Sequence, residues 1–198
     1  MSDRARTPRT SNVGATSTPV LWRRLDLPGH DACRLVEQPG GWLLHGTAVC
    51  QLKDAPVRLD YRVNCDSSWR TRTASVRGWV GVETIAIVIA RTTDGRWLLN
   101  DEPVPGLEDC VHVDFGFTPS TNLAQLRRAA LAIGDTAEVP VAWLDVPPGT
   151  LTRLEQRYRR ASETSYDYAA PRLEYHAMLE VTSAGFVRRY PELWEMEG

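Results

Sequence analysis

The sequence predicts a mainly β protein: one curled antiparallel sheet, as a spiral β-roll or incomplete barrel, with two short helices. Apolar and polar residues alternate with a period of two in one segment after another, as in strands that have one buried and one wet face. Short turns rich in Gly, Pro, Asp and Ser separate these segments. Because strand follows strand through short turns, we expect antiparallel pairing.

The first half of the chain is predicted to contain strands only. The clearest alternation runs from Val57 to Cys65, where five apolar residues are separated by charged or amide side chains. The run from Val82 to Arg91 is apolar on both sides, so we expect it to be buried on both faces. Strands are expected at residues 21–26, 32–37, 42–52, 57–65, 69–79, 82–91 and 96–99.

The second half adds two helices to this pattern. Ser120 or Thr121 can cap a helix predicted over residues 121–132, which carries an apolar stripe. Apolar residues at helical spacing after Thr150 predict a second helix over residues 149–160. Further strands are expected at residues 109–115, 139–146, 166–169, 172–181 and 186–190.

Composition and charge limit the classes of function. The 198 residues are expected to form a disordered N-terminal tail over residues 1–19 and a single β-roll domain over residues 20–198. The net charge of −2 argues against a protein that binds nucleic acid through phosphate contacts. No apolar run approaches the ~20 residues of a membrane helix, and no signal peptide precedes the domain. The four cysteines lack Cys-x-x-Cys spacing, so we expect a cytoplasmic protein with reduced thiols and no metal or other cofactor.

A dense group of polar residues between Gly106 and Leu131 marks the candidate ligand site. Asp114 lies among β-branched and aromatic neighbours, where a carboxylate must be paired or face a cavity. Asn122 lies at a helix start, and Arg70 and Arg72 share one strand face, where guanidinium groups can hold an anion. A buried ion-pair network is the structural alternative. The residues predicted to bind ligand are Arg70, Arg72, Trp97, Asp109, Asp114, Asn122 and Arg127.

The strand that ends at Phe115 carries residues that could support metal binding or nucleophilic catalysis. Cys110, His112 and Asp114 share one face and could be metal ligands or a nucleophilic triad. The residues of metal sites and catalytic triads usually come from several segments of a chain. The presence of these three residues on one strand face is therefore more simply explained by core packing and local hydrogen bonds. The sequence contains no Gly-rich phosphate loop, GxSxG or HExxH motif, and no catalytic residue is assigned.

A series of motifs runs along residues 21–194: Trp22-Arg23-Arg24, Tyr61-Arg62-Val63, Trp69-Arg70-Thr71-Arg72, Asp94-Gly95-Arg96-Trp97, Gly106-Leu107 with Asp109-Cys110, Val113-Asp114-Phe115, and Tyr190-Pro191 with Leu193-Trp194. The most specific part is the segment with Gly-Phe-Thr-Pro, Asn and Arg-Arg at 116–128. Taken in order, these motifs resemble a bacterial family labelled "putative glycolipid-binding", formerly a domain of unknown function, over nearly all of residues 21–194. His112 departs from the family pattern, which usually has a carboxylate there.

The resemblance implies a spiral β-roll similar to bacterial lipoprotein carriers, and a binding role. We therefore expect a non-enzymatic binder of a glycolipid or other amphiphilic small molecule, held in the concavity of the curled sheet. The alternatives are a hydrolase or metalloenzyme centred on His112 and Asp114, and a structural or interaction module without a ligand. The first hypothesis requires a sizeable cavity with polar groups at its rim, the second requires converging ligands, and the third a filled interior.

Overall fold

The computed structural model describes residues 17–198, which form a 14-stranded antiparallel sheet, a three-stranded sheet and one α-helix. The first half contains β1 (Ser17–Arg24), β2 (Gly29–Gln38), β3 (Gly41–Leu52), β4 (Ala55–Asp66), β5 (Thr71–Val80), β6 (Glu83–Arg91), β7 (Trp97–Leu99) and β8 (Glu102–Val104). The second half contains β9 (His112–Phe115), α1 (Asn122–Ala129), β10 (Thr136–Glu138), β11 (Val141–Asp145), β12 (Thr150–Leu154), β13 (Arg157–Arg160), β14 (Ser165–Ala170), a 3₁₀ turn (Pro171–Leu173), β15 (Tyr175–Val181), β16 (Val187–Tyr190) and β17 (Trp194–Met196).

The order of strands in the large sheet joins the two halves of the chain. From β1 the sheet runs outward through β2 to β8 in sequence order. On its other edge β1 pairs with β17, and the sheet continues through β16, β15, β14, β13 and β10. Trp22 in β1 lies opposite Met196 in β17. The first and last strands are thus neighbours, which confirms the mainly β, curled antiparallel sheet that the sequence predicts.

The small sheet and α1 fill the apolar face of the large sheet. In the small sheet β11 pairs in parallel with β9 and antiparallel with β12. Val113 and Phe115 of β9 and Leu123 of α1 lie in the same buried cluster as Tyr61 of β4. The Phe115 and Phe117 rings stack with centroids 5.2 Å apart, and Tyr61 meets both edge-on. Aromatic packing thus fixes β9 against the middle of the large sheet.

Alternation along the strands separates the two faces of this sheet. In β4 the apolar residues are buried and the residues between them are exposed or partly exposed, as the sequence predicts. In β6, Ile87 and Ile89 are buried, whereas Val88 is 47% exposed. The expectation that this strand is buried on both faces is wrong, because its second face has no cover among residues 17–198.

One of the two predicted helices is present. The helix expected over residues 121–132 is α1, which ends earlier because its C-cap residue adopts a left-handed conformation. The helix expected over residues 149–160 is wrong, because this segment forms β12 and β13. Leu151, Leu154 and Tyr158 are buried as expected, but their spacing spans the break between two strands. Sheet partners on β11, β10 and β14 satisfy the backbone there.

The predicted N-terminal tail lies outside the described residues as far as residue 16, and β1 begins at Ser17. In the part of the chain that the structure describes, α1 has eight residues, and no helix is long and apolar enough to cross a membrane.

Gly46 in β3 is required by close packing across the sheet. A Cβ atom there would lie 2.5 Å from the Ala32 carbonyl oxygen and 2.5 Å from the Tyr61 hydroxyl. We expect Gly46→Ala to lower the free energy of unfolding by about 1–3 kcal/mol, since backbone and a fully buried ring must move. Urea denaturation measures this loss. The control is Gly116→Ala, whose Cβ would meet only the Trp143 ring, at 3.1 Å, and a smaller loss is expected. Equal losses would contradict the packing argument.

Candidate functional site

An open groove of about 730 Å³ lies on the face of the large sheet opposite the core. We call it the outer groove. It crosses the strands from β1 to β5, because side chains of alternate residues on each strand point to this face. Its lining consists of Pro19, Val20, Ala32, Cys33, Arg34, His45, Gly46, Thr47, Asp60, Tyr61, Arg62, Ser75 and Arg77.

Arginines from three strands converge on the outer groove. Arg34 lies directly opposite His45, which in turn lies opposite Arg62, and Arg77 lies one row away opposite Asp60. Like charges in neighbouring positions across a sheet are unfavourable unless a counter-charge joins them. The three arginines are exposed and form no ion pair with any residue among 17–198.

The acid and the histidine in this groove leave its positive charge largely uncompensated. Asp60 accepts hydrogen bonds from Arg58 at 2.6 Å and from the Thr47 hydroxyl at 2.8 Å, so its carboxylate is already engaged. Burial, together with the nearby Arg34 and Arg62, lowers the pKa of His45. The imidazole is therefore neutral at pH 7, and the groove presents guanidinium groups, hydroxyls and a neutral imidazole to a ligand.

Exposed apolar side chains lie on the same sheet face. Leu21 pairs with Ala32 of the groove, and Val88 pairs with Ser75. Trp79 follows Arg77 by two residues and shares its face. Leu21, Trp79 and Val88 are between 37% and 47% exposed, which is unusual for side chains of this size. This face of the sheet is therefore amphipathic.

A buried carboxylate supports the groove from the core side. Asp31 of β2 is fully buried and accepts a hydrogen bond from the Tyr61 hydroxyl at 2.8 Å. Thr118, which follows β9, also donates to Asp31, and Ser120 lies 2.9 Å from the Thr118 hydroxyl. Burial raises the pKa of Asp31 to about 6, although the hydrogen bonds from Thr118 and Tyr61 oppose that rise. These contacts join β2, β4 and the Thr-Pro-Ser segment.

Asp114 and Asn122, both predicted ligand contacts, belong to a second buried network. Asp114 accepts hydrogen bonds from the Thr121 hydroxyl at 2.5 Å and from Nε2 of Gln156 at 2.8 Å. Nδ2 of Asn122 donates to the Tyr158 hydroxyl at 2.7 Å. Burial raises the pKa of Asp114. The partners of Asp114 are uncharged, so the network is held by hydrogen bonds rather than by the ion pairs that the structural alternative supposed.

Three further predicted ligand contacts lie apart from both networks. Arg72 forms an ion pair with Asp66 at 2.7 Å, and Arg70 is exposed at the start of the same hairpin strand. Trp97 is buried and donates its indole N–H to the Cys110 carbonyl at 3.1 Å.

The last two predicted contacts lie at other surface points. Asp109 is exposed and forms an ion pair with Arg153. Arg127 donates to the Ala184 carbonyl at 2.6 Å, and its guanidinium lies 5.8 Å from the centre of the Trp69 ring. The structure thus brings Asp114 and Asn122 together and leaves the other five apart. None of the seven lines the outer groove, and their contact with a ligand stays a prediction.

The residues considered for metal binding or nucleophilic catalysis do not converge. Among residues 17–198 no group of three or more His, Cys, Asp or Glu side chains has the geometry to hold a metal ion. Burial raises the pKa of the Cys110 thiol to about 12 and lowers the pKa of His112 to about 3. Cys110 is therefore a thiol and His112 a neutral imidazole at pH 7, the opposite of the thiolate and imidazolium pair of an activated cysteine.

The sequence contained a signal for the groove that the prediction missed. Asp31 lies at alternate positions along β2 with the apolar residues Cys33 and Leu35, so its carboxylate points to the same apolar face. Arg34 and Arg62 alternate with apolar residues on two strands, so each was expected to face solvent. Their meeting across His45 depends on strand register, which alternation alone does not determine.

Comparison with known proteins agrees with the fold. Residues 19–196 match the family described as "Putative glycolipid-binding". A solved structure of a DUF1089 family protein from Pseudomonas aeruginosa superposes with a TM-score of 0.75 at 23% sequence identity, over 98% of this chain and 99% of that chain. That likeness shows a shared fold. A search of curated proteins gave no match.

The pKa of Asp31 predicts how stability changes with pH. The folded chain releases this proton near pH 6, and the unfolded chain near the ordinary value of 3.8. Between these values the folded state binds more protons at Asp31, so the contribution of this group to the free energy of unfolding falls as pH rises. A shift of this size corresponds to about 3 kcal/mol. The lowered pKa of buried His112 acts in the opposite sense over the same range, but it is common to wild type and variant and cancels in their difference. We therefore expect the free energy of unfolding of the wild type, relative to that of Asp31→Asn, to fall between pH 4 and pH 7 in urea denaturation, whereas the exposed control Asp101→Asn stays parallel to the wild type. Parallel profiles for wild type and Asp31→Asn would contradict this.

Proposed function

The chain belongs to the family described as "Putative glycolipid-binding", and we propose that it binds an anionic amphiphile, such as an acidic glycolipid, in the outer groove without chemical conversion. The observation that carries the proposal is the convergence of Arg34, Arg62 and Arg77, none of them in an ion pair within residues 17–198, on a groove of about 730 Å³. That volume is in the range of pockets that hold small molecules, about 300–1,000 Å³.

The charged part of the ligand is assigned to the guanidinium groups. Guanidinium forks donate paired hydrogen bonds to phosphate, sulfate or carboxylate oxygens. Arg34 and Arg62 flank the neutral His45, so an anion placed over this imidazole can contact both. Binding would also relieve repulsion between the arginines, which adds to the free energy of association. The Ser75 hydroxyl can donate to or accept from hydroxyl groups of the same ligand, and the Thr47 hydroxyl, which donates to Asp60, can accept from them.

The apolar part of the ligand is assigned to the exposed side chains beside the groove. Leu21, Trp79 and Val88 share the face of the arginines. Leu21 and Val88 pair with groove residues on the next strand, and Trp79 follows Arg77 by two residues. Covering them with an acyl chain removes apolar surface from water at about 25 cal/mol per Å². An arginine cluster alone could bind any small anion. The exposed apolar side chains beside it are the reason that we propose an amphiphile.

The small volume of the cavity inside the curled sheet supports the choice of the outer groove as the ligand site. The apolar cavity beneath Trp42 and Trp69 holds about 10 Å³, close to the space that one water molecule needs. An acyl chain is far larger. We therefore assign the ligand to the outer groove rather than to the concave side of the curled sheet, where the sequence predicted it, because β9 and α1 occupy that side.

A charge reversal in the groove tests the proposal. The probe is dihexanoylphosphatidylglycerol, compared with dihexanoylphosphatidylcholine, which has the same chains without net charge, and with glycerol 3-phosphate, which has no chains. By isothermal titration calorimetry we expect the anionic lipid to bind most tightly and to weaken as salt is added. Arg62→Glu should weaken that binding by about tenfold or more, equivalent to about 1.4 kcal/mol.

Arg188→Glu is the matched control, because Arg188 is an exposed arginine on β16 of the same sheet, away from the groove. Its affinity should remain that of the wild type. Equal losses in the two variants would show a general charge effect and would contradict a groove site. Equal affinity for glycerol 3-phosphate and for the anionic lipid would show that the groove binds a small anion and would contradict an amphiphilic ligand. If neither anion binds, the proposal is refuted.

A further inference from the structure

Four arginines from separate segments of the chain gather at one end of the large sheet. They are Arg70, just before β5, Arg72 of β5, Arg91 at the end of β6, and Arg128 of α1. The register that pairs Thr73 with Ala90 brings Arg72 beside Arg91. Arg128 donates to the Ser68 carbonyl at 3.3 Å, so the end of α1 lies beside the turn that precedes Arg70. We call these four residues the Arg91 cluster, and none of them lines the outer groove.

The guanidinium groups of the cluster act electrostatically on one another and on their surroundings. Burial, and after it the positive charges of the other three arginines, lowers the pKa of Arg91. Burial, and after it the charges of Arg128 and Arg91, lowers the pKa of His112 to about 3. Repulsion between like charges at such short range destabilises the cluster unless an anion joins it.

Arg91 is held in place by neutral groups. Its Nε donates to the Cys110 carbonyl at 3.0 Å, and Trp97 donates to the same carbonyl at 3.1 Å. Its guanidinium also lies against Gly95, where a Cβ atom would be 3.2 Å from Nη2. Neither Nη1 nor Nη2 of Arg91 has a hydrogen-bond acceptor among residues 17–198. The guanidinium is therefore positioned by the fold while its outer donors remain open to a ligand.

One carboxylate belongs to the cluster, and its hydrogen-bonding capacity is already used. Asp66 forms the ion pair with Arg72 at 2.7 Å. It also accepts hydrogen bonds from the backbone N–H groups of Ser68 and Arg70, each at 2.9 Å. Asp66 therefore compensates Arg72, and the other three arginines of the cluster form no ion pair in the described part of the chain.

The acidic residues of the adjoining segments do not neutralise these three charges. Asp94 and Asp109 form ion pairs with arginines outside the cluster. Glu108 accepts a hydrogen bond from a backbone N–H at 3.1 Å. Glu138 lines a concavity together with Arg128, but no ion pair joins the two side chains. The cluster thus carries positive charge that residues 17–198 leave without a partner.

The number and placement of the donors determine which anion fits. A carboxylate is planar and has two oxygens and one charge, so two guanidinium groups satisfy it. A phosphate monoester has three acceptor oxygens and a charge of about −1.5 to −2 at pH 7. Its oxygens point in different directions from phosphorus, so arginines that approach from β5, β6 and α1 can each contact one of them.

We propose that the Arg91 cluster binds a phosphate monoester through Arg70, Arg91 and Arg128, while Arg72 stays paired with Asp66. The same chemical group occurs in soluble sugar and glycerol phosphates and in the headgroup of phosphatidic acid. The site is separate from the outer groove, and it does not depend on the function proposed for that groove.

NMR titration of the ¹⁵N-labelled full chain with glycerol 3-phosphate tests the proposal. The readouts are the Nε–H signal of Arg91 and the backbone amide signals of Ser68 and Gly95, which adjoin the cluster. The amide signal of Gly46 reports on the outer groove separately. We expect saturable shifts of the three cluster signals. Dimethyl phosphate and acetate, which carry a single charge, should bind there at least about tenfold more weakly.

Arginine variants separate the site from a general effect of charge. Arg70 makes no side-chain hydrogen bond within residues 17–198, so Arg70→Gln should leave the fold intact and weaken binding severalfold. Arg91→Gln should weaken it by about tenfold or more. The matched control is Arg188→Gln, at an exposed arginine that β17 and β1 to β4 separate from β5. This variant, and Arg62→Glu in the outer groove, should leave the cluster shifts unchanged.

The source of the phosphate group is identified with dihexanoylphosphatidic acid. Equal affinity for this lipid and for glycerol 3-phosphate identifies a soluble ester, tighter binding of the lipid identifies a headgroup, and either result supports a phosphate site. The double variant Arg70→Gln/Arg91→Gln also removes this site from the calorimetric comparison of ligands for the outer groove.

Three results would overturn the proposal. They are the absence of saturable cluster shifts with both phosphate monoesters, equal losses of affinity in Arg70→Gln and Arg188→Gln, and binding of acetate at the cluster as tight as that of glycerol 3-phosphate.

Discussion

The hydrogen bonds to the buried carboxylate of Asp31 connect three separate parts of this fold. Tyr61 and Thr118 donate to it from β4 and from the segment after β9, 30 and 87 residues away. The Tyr61 ring also packs against Phe115 and Phe117, so one side chain joins a polar anchor to the aromatic core. Without these donors a carboxylate could not remain at this depth, since desolvation already raises its pKa to about 6. The position of β9, and with it the filled apolar side of the roll, depends on this anchor.

The two faces of the large sheet differ in how their charged side chains are paired. On the inner face every buried charge is matched: Asp31 and Asp114 have hydrogen-bond donors from hydroxyl and amide groups. On the outer face, Arg34 and Arg62 flank a histidine without an acidic partner in the described chain. Proteins tolerate such repulsion where it serves binding, because an anion that joins the arginines regains the lost free energy. The buried charges that stabilise the fold thus lie on the inner face, and the outer face carries the unpaired arginines on which the proposed binding rests.

Strand periodicity predicted most of the fold, and the misses have identifiable physical causes. The alternation in β4 and the helix at α1 follow from local patterns, and both are present. The segment over residues 149–160 has apolar residues at helical spacing, but sheet partners decided its structure. The carboxylate of Asp114 was expected to be paired or to face a cavity, and it is paired within a buried network, while its contact with a ligand stays a prediction. The outer groove was missed, because its arginines become neighbours through the register of three strands rather than through sequence.

The strand structure of residues 150–160 is also what makes the second polar network possible. In extended chain, Gln156 and Tyr158 are two residues apart and point to the same side. Gln156 can then donate to Asp114 while Tyr158 bonds Asn122 and Gln125 of α1. In a helix, residues two apart point in different directions, and one of these partners would be lost. Without Gln156 the carboxylate of Asp114 would keep only the Thr121 hydroxyl as a donor, and its second oxygen would be unpaired, which is costly at its depth. The need to satisfy one buried acid therefore favours the strand over the helix that local spacing alone predicts.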